Sequence, residues 1–215
     1  WSIRRHRDPK LHIECDSPID ELIPSLAGLT LSTAVAGNSV EVLENGAFFE
    51  VLLQRIRSAQ QSVHFETFLW KEGVLGQRVA EALSERARAG KQVRVLLDAT
   101  GSKEVGKAAR RQMEEAGCRV VLFHEKAFRN IGVLNDRDHR KLVVVDNRLA
   151  LLGGRNLAHE YYTGFDEVAL MSNSLWREVP WLDAGARVQG PAVEALERSF
   201  LDAWTGEGGA AFDVA

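Results

Sequence analysis

His139, Lys141 and Asn156 are residue types that can hold and turn over a phosphate. They fall within one short stretch, His139-Arg140-Lys141-Leu142-Val143-Val144-Val145-Asp146 followed by Gly153-Gly154-Arg155-Asn156. An imidazole can attack phosphorus or pass a proton, while an ammonium and a carboxamide neutralise charge on the phosphate oxygens. Phosphoryl transfer by such a set calls for no metal and no cofactor. A lone His-x-Lys reads as two polar residues at the start of a buried strand. Asp146, the glycine pair and Asn156 reverse that balance.

A strand pair must position these groups. Leu142 to Val145 and Leu149 to Leu152 are apolar runs flanking Asp146-Asn147, a dipeptide that tolerates the positive backbone angles of a two-residue hairpin turn. With Val145 opposite Arg148, the register puts Val143 opposite Ala150, Lys141 opposite Leu152 and His139 opposite Gly154. Side chains alternate along a strand, so His139, Lys141, Leu152, Gly154 and Asn156 are expected on one side, with Arg140 and Asp146 on the other. Gly154 then leaves a space in which a ligand or another backbone can approach. Asp146 reads from this geometry as a hairpin-turn or ion-pair residue rather than a catalytic one.

The pattern His139-x-Lys141-x4-Asp146 with a downstream Gly-Gly-x-Asn resembles the signature of the phospholipase D superfamily. Further segments resemble the first half of bacterial cardiolipin synthases: Pro24 to Thr30, Gly37 to Glu41, His64 to Phe68, Val93 to Asp98, and Trp181-Leu182-Asp183 through Val193. The resemblance spans residues 20 to 204. It implies a two-half active site in which one histidine attacks the phosphodiester phosphorus and the other protonates the leaving alcohol. On that basis His139 is the nucleophile or the partner acid and base, and Asp146 counts with His139 and Lys141 in the catalytic signature. Lys141, Asn156 and Gly154 join His139 at the phosphate. Asp183 is the carboxylate that orients the histidine, as such a group fixes the tautomer and stabilises the imidazolium. Glu66 takes a supporting place, against a plain buried ion pair.

Two departures from the family pattern stand out. Asp138 replaces an asparagine before the histidine, so an added negative charge is expected beside the imidazole, raising its pKa. The family's Trp-Arg-Asp-Thr-His is here Trp181-Leu182-Asp183-Ala184-Gly185, a small and apolar stretch.

The 215 residues, 45% hydrophobic, suffice for one full core. A net charge of -3 gives no general pull toward nucleic acid, and none is expected as a partner. Cys15 and Cys118 have neither metal-ligand spacing nor a disulfide pattern, which suits free thiols in a reducing compartment. The chain opens at Trp1 and runs into the basic cluster Arg4-Arg5-His6-Arg7, which reads as a cut after a membrane-spanning segment or as a solvated tail. No apolar run of about 18 residues is present to cross a bilayer. Residues 1-30 are therefore expected to be an extension, juxtamembrane in the first reading, 31-204 the catalytic half-domain, and 205-215, with Gly-Glu-Gly-Gly-Ala-Ala, a flexible tail or linker to a second half.

Between these ends strands and helices alternate. Strands are expected at Ser39 to Leu43, Ser62 to Leu69, Gln92 to Leu97, Arg119 to Phe123, the motif hairpin, and Ala186 to Gln189. Helices are expected at Phe48 to Ala59, Leu75 to Ala89, Lys107 to Ala116, and from Pro191 through Trp204. The fold class is α/β, and by resemblance a phospholipase D-like α/β/α sandwich with a mixed central sheet flanked by helices. Loops at Glu125 to Asp136 and Tyr161 to Trp176 are expected to rim the site, the second offering apolar residues to acyl chains or to the core. His12, His124 and His159 carry no expected role.

Three functions follow. The leading one, implied by the resemblance, is a phosphatidyltransferase of cardiolipin synthase type, acting between phosphatidylglycerol molecules through a phosphohistidine and needing a second His-x-Lys half. That half comes from the same polypeptide or from a homodimer mate, and the site works at the bacterial inner membrane with its catalytic part cytoplasmic. The alternative is a phospholipase D hydrolase, or a homodimeric phosphodiesterase or nuclease with one motif per chain. The third is a non-catalytic lipid-binding module.

Overall fold

The computed structural model describes residues 18-44, 46-103, 105, 107-124, 137-158 and 183-210. The chain divides into two compact units, Trp1–Ala36 and Gly37–Ala215. The first holds helix α1, Ile19–Thr30, which the sequence reading did not anticipate. Pro24 lies inside it, and the helix stops where Leu31 turns left-handed at φ 53° and sends its N–H back to Ala27. Leu29 on it and Leu31 just past it are exposed.

In the second unit the elements run β1 (Ser39–Glu44), α2 (Ala47–Ser58), β2 (Ser62–Thr67), α3 (Val74–Arg88), β3 (Gln92–Asp98), α4 (Lys107–Glu115), β4 (Arg119–Phe123), β5 (Leu142–Val145), β6 (Leu149–Gly153), β7 (Ala184–Gln189) and α5 (Ala192–Gly206). The seven strands form one mixed sheet in the order β1-β7-β6-β5-β2-β3-β4. β2, β3 and β4 are parallel and connected through α3 and α4; β5, β6, β7 and β1 join antiparallel. This is the expected mixed sheet between helical layers. One consequence of the topology matters for chemistry. The C-terminal ends of β2, β3 and β6 and the N-terminal ends of β5 and β7 share one sheet edge.

Side-chain alternation assigns the two faces. Val63, Phe65, Val93, Val95, Leu97, Val143, Val145, Leu149 and Leu151 pack with Phe49, Leu52, Leu53 and Ile56 of α2 and Val79 and Leu83 of α3. These helical residues recur three and four apart, so each helix buries one stripe. The other face, Leu96, Leu142, Val144 and Ala150, packs with Val193, Phe200 and Trp204 of α5. Glycines just past α3 and α4, Gly90 at φ 77° and Gly117 at φ 99°, take the left-handed conformation that ends a helix.

The motif hairpin corrects the expected register. Asp146 and Asn147 do have positive φ, 53° and 51°, and the Arg148 N–H closes the turn on the Val145 carbonyl at 3.0 Å. The ladder resumes with Val145 opposite Leu149, however, and Leu142 opposite Leu152. Arg148 is left over as an extra residue. Pairing it with Val145 would have aimed a guanidinium into the core beneath α2, whereas the bulge buries Leu149 and Leu151 there. Leu152 thereby packs on the α5 face, away from the side expected of it.

Candidate active site

Residues 137 to 141 lead into β5 along the shared edge and keep its alternation. Lys141 Nζ donates to the His139 carbonyl at 2.6 Å and lies 3.0 Å from His139 Nδ1. Phe68, one residue beyond β2, sets its ring 4.7 Å from the imidazole and 5.2 Å beneath the ammonium. With Lys141 donating to Nδ1, a neutral imidazole carries its proton on Nε2. His139 itself is exposed at the edge.

Phe68 is held from β3. A Cβ on Gly101 would run into the Phe68 carbonyl and ring, and the Ser102 hydroxyl donates to that carbonyl at 2.9 Å. The turn carrying them is organised by Asp98 at the end of β3, whose Oδ1 accepts the N–H of Thr100 at 2.9 Å and of Gly101 at 2.7 Å. Phe68 and Asp98 end two of the segments that carry the family resemblance, though no role at the site was expected of either. The available signal was their position, each ending a strand at the edge where the motif begins.

The glycine gap is not empty. A Cβ on Gly154 would lie 2.7 Å from Asp183 Oδ2, so the missing side chain makes room for this carboxylate. Asp183 Oδ1 also accepts the Ala184 N–H at 2.7 Å. No hydrogen bond joins Asp183 to His139; its charge acts on Lys141 instead. Burial pushes the Lys141 ammonium down to about 8, against the opposing pull of Asp138 and Asp183. The unusual Ala184-Gly185 pair begins β7, and a Cβ on Gly185 would strike the Phe48 ring.

Asn156 is buried, and its Oδ1 accepts the Leu69 N–H at 3.1 Å, which fixes the amide orientation with NH2 as the donor. Leu157 and the Leu69 to Lys71 backbone exchange two further bonds, of 3.0 and 2.8 Å, tying the Asn156 segment to the Phe68 segment. Arg155 is buried over the rings of Phe48 and Phe49.

On the α5 side of the same edge, Arg140 joins Asp138 and Glu66. Its Nε is 3.1 Å from Asp138 Oδ1 and its Nη2 2.9 Å from Glu66 Oε1, while Nη1 donates to Ser199 of α5. The added charge of Asp138 is thus turned down to Arg140 and Glu66, not set beside the imidazole as expected. Burial first, then the neighbouring Asp138 carboxylate, push Glu66 up to about 9 against Arg140.

Asp146 lies at the far end of the hairpin. Its carboxylate accepts the backbone N–H groups of Gln60, Gln61 and Ser62 at 2.9, 2.7 and 2.9 Å. Burial raises its pKa, but these bonds and Arg148 outweigh that and hold it below the ordinary carboxylate value. His124 pairs with Glu207 at 2.8 Å. Among the described residues no group of three His, Cys, Asp or Glu is arranged for a metal, and no helix is long and apolar enough to cross a membrane. Cys118 is a buried free thiol. Cys15, His12, His159, Trp181 and the two rim loops lie outside the described residues.

Residues 52–179 match the family model described as "Cardiolipin synthase, PLD-like domain". The chain is 36% identical over 78% of its length to the major cardiolipin synthase ClsA of Bacillus subtilis, covering 33% of that protein. It is 32% identical over 85% of its length to cardiolipin synthase A of Pseudomonas aeruginosa, covering 36% of it. The chain therefore spans about a third of the length of these relatives. In fold it is similar to the phospholipase D family member Nuc of Salmonella typhimurium, with a TM-score of 0.57 at 17% identity, covering 79% of this chain and 95% of that one. It is also similar in fold to the phosphatidylserine synthase of Haemophilus influenzae, with a TM-score of 0.53 at 12% identity, covering 91% of this chain and 48% of that one. The chain belongs to the cardiolipin synthase family of phospholipase D-like domains.

Proposed function

We propose that the chain supplies one half of a phosphatidyltransferase site of cardiolipin synthase type. A histidine displaces glycerol from phosphatidylglycerol, forming an N–P bond as the P–O bond breaks, and a second phosphatidylglycerol hydroxyl then takes the phosphatidyl group. His139 is one of the two histidines and acts on phosphorus or on the proton of the alcohol. Lys141 and Asn156 donate to the phosphate oxygens beside Gly154, Asp183 supports the Lys141 charge, Glu66 supports from beneath, and Asp146 holds the hairpin. The observation that carries this reading is the contact of Lys141 Nζ with His139 at an exposed sheet edge, in a chain of this family.

The other half is a second phospholipase D-like half, in the same polypeptide or in a homodimer mate. The phospholipid substrate places the work at a membrane surface, the inner membrane of a bacterium with the catalytic part on its cytoplasmic side. Residues 31-204 form the catalytic half-domain between the extension and the tail. The single His-x-Lys-x4-Asp pattern of the chain favours a second reading, a homodimeric phosphodiesterase. A purified chain that stays monomeric at high concentration removes it.

Phosphatidylglycerol radiolabelled in its phosphatidyl group tests the mechanism in the reading frame that contains this chain. Protein denatured at neutral pH, where a histidine N–P bond survives, is expected to retain label that His139→Ala loses. Equal labelling of both forms, or none of either, contradicts the proposal.

A further inference from the structure

The motif residue between His139 and Lys141 ties the site to a buried pair of carboxyls. Glu66 and Asp138 are 1% and 3% exposed. Arg140 reaches both, at 2.9 Å and 3.1 Å, and its backbone N–H also lies 3.2 Å from Asp138 Oδ1. Its Nη1 donates to the carbonyl and hydroxyl of Ser199 at 3.0 and 2.7 Å, and the Asp138 N–H donates to Asp98 Oδ2 at 3.1 Å. The residues before and after His139 are therefore both anchored beneath the edge.

The charge of this cluster does not balance if both acids are ionised. Two carboxylates against one guanidinium leave a buried negative charge, and among the described residues neither Glu66 oxygen nor Asp138 Oδ2 has a well-aligned hydrogen bond. One proton held between Glu66 and Asp138 removes the excess charge and gives one oxygen of each carboxyl a partner. We propose that Glu66 and Asp138 share a single proton, clamped by Arg140, and that this unit is a positioning device for the backbone that carries His139 and Lys141. It rests on the phosphatidyl-transfer reading for its effect on turnover, but not for its protonation.

Glu66 is the carrier, since its burial and the negative neighbour both favour the acid form. Other charges facing this side of β2 are committed elsewhere. Arg94 of β3 and Glu197 of α5 meet His64 at 3.1 and 3.2 Å, and Asp98 Oδ1 is taken by the turn after β3. The unit acts through the backbone, because the imidazole lies against Phe68 and Lys141.

Infrared difference spectroscopy on the full protein reads the proton directly. A protonated-carboxyl C=O band is expected at neutral pH, vanishing as pH rises through about 9. It is expected to be absent from Glu66→Gln, and to vanish at lower pH in Asp138→Asn. In turnover at neutral pH, Glu66→Gln keeps a neutral hydrogen-bonding group and is expected to lose less than about tenfold, while Glu66→Ala loses on the order of a hundredfold in kcat rather than KM. Absence of the band from the wild type, its survival in Glu66→Gln, or equal damage by Gln and Ala overturns the proposal. The wild-type titration decides even if the variants do not fold. A band without lipid turnover by the wild type sustains the shared proton and contradicts the transfer reading instead.

Discussion

The Asp183 carboxylate occupies the volume in which a Gly154 side chain would begin, its Oδ2 2.7 Å and its Oδ1 3.0 Å from that Cβ position. The two residues come from the end of β6 and the start of β7, so each fixes the freedom of the other. Gly154→Ala is expected to displace the carboxylate, strain its 2.7 Å bond from the Ala184 N–H, and lower kcat/KM by about tenfold. A double-mutant cycle checks the cause. Adding Asp183→Ala removes the clash, so the combined loss should be smaller than the sum of the two. Additive losses would show that Gly154 serves something other than Asp183.

Lys141 makes turnover sensitive to alkali. Its ammonium is pushed down to about 8 by burial, so the charge on the phosphate side is lost as pH rises through that value. The kcat/KM profile is expected to fall there. Arginine stays protonated across this range, so Lys141→Arg should lack that fall even where its rate is lower. Lys141→Ala is expected to cost on the order of a hundredfold in kcat/KM. An identical alkaline limb in Lys141→Arg would assign the titration to another group.

Asp146 is expected to show its effect in stability. Three backbone N–H groups of the turn into β2 converge on its carboxylate. Asp146→Ala leaves them without this acceptor, at a cost of roughly 1 to 3 kcal/mol in urea unfolding. The folded-state pKa lies below the ordinary 3.8, so the contribution is present above that value and lost as pH falls through the depressed one. The gap between wild type and Asp146→Ala should therefore narrow in acid. A gap that is constant with pH would mean that the charge does not hold the turn.

The elements that were legible in the sequence have strong local signals. The apolar stripe of α2, the glycines after α3 and α4, and the apolar runs of β3 and β4 lie within a residue or so of their expected bounds. Helix α1 was not legible because Pro24, the sixth of its twelve residues, lies in its interior and has no N–H for the helical ladder. The hairpin turn was legible in Asp146-Asn147, but its register was not. Whether Arg148 pairs or bulges depends on which face the α2 core covers, and no residue near the turn reports that. The same limit applies to Asp98, Arg140 and Ser199. They meet at the site only because β3 and β5 flank β2 and α5 returns across the sheet.

The central claim is lipid phosphatidyl transfer through His139, and the most direct measurement is turnover of phosphatidylglycerol vesicles in excess EDTA. The full reading frame containing this chain is compared with its His139→Ala variant. Cardiolipin and glycerol from the wild type, and neither from His139→Ala, is the expected result. Phosphatidic acid in place of cardiolipin, or equal product from both forms, would contradict it.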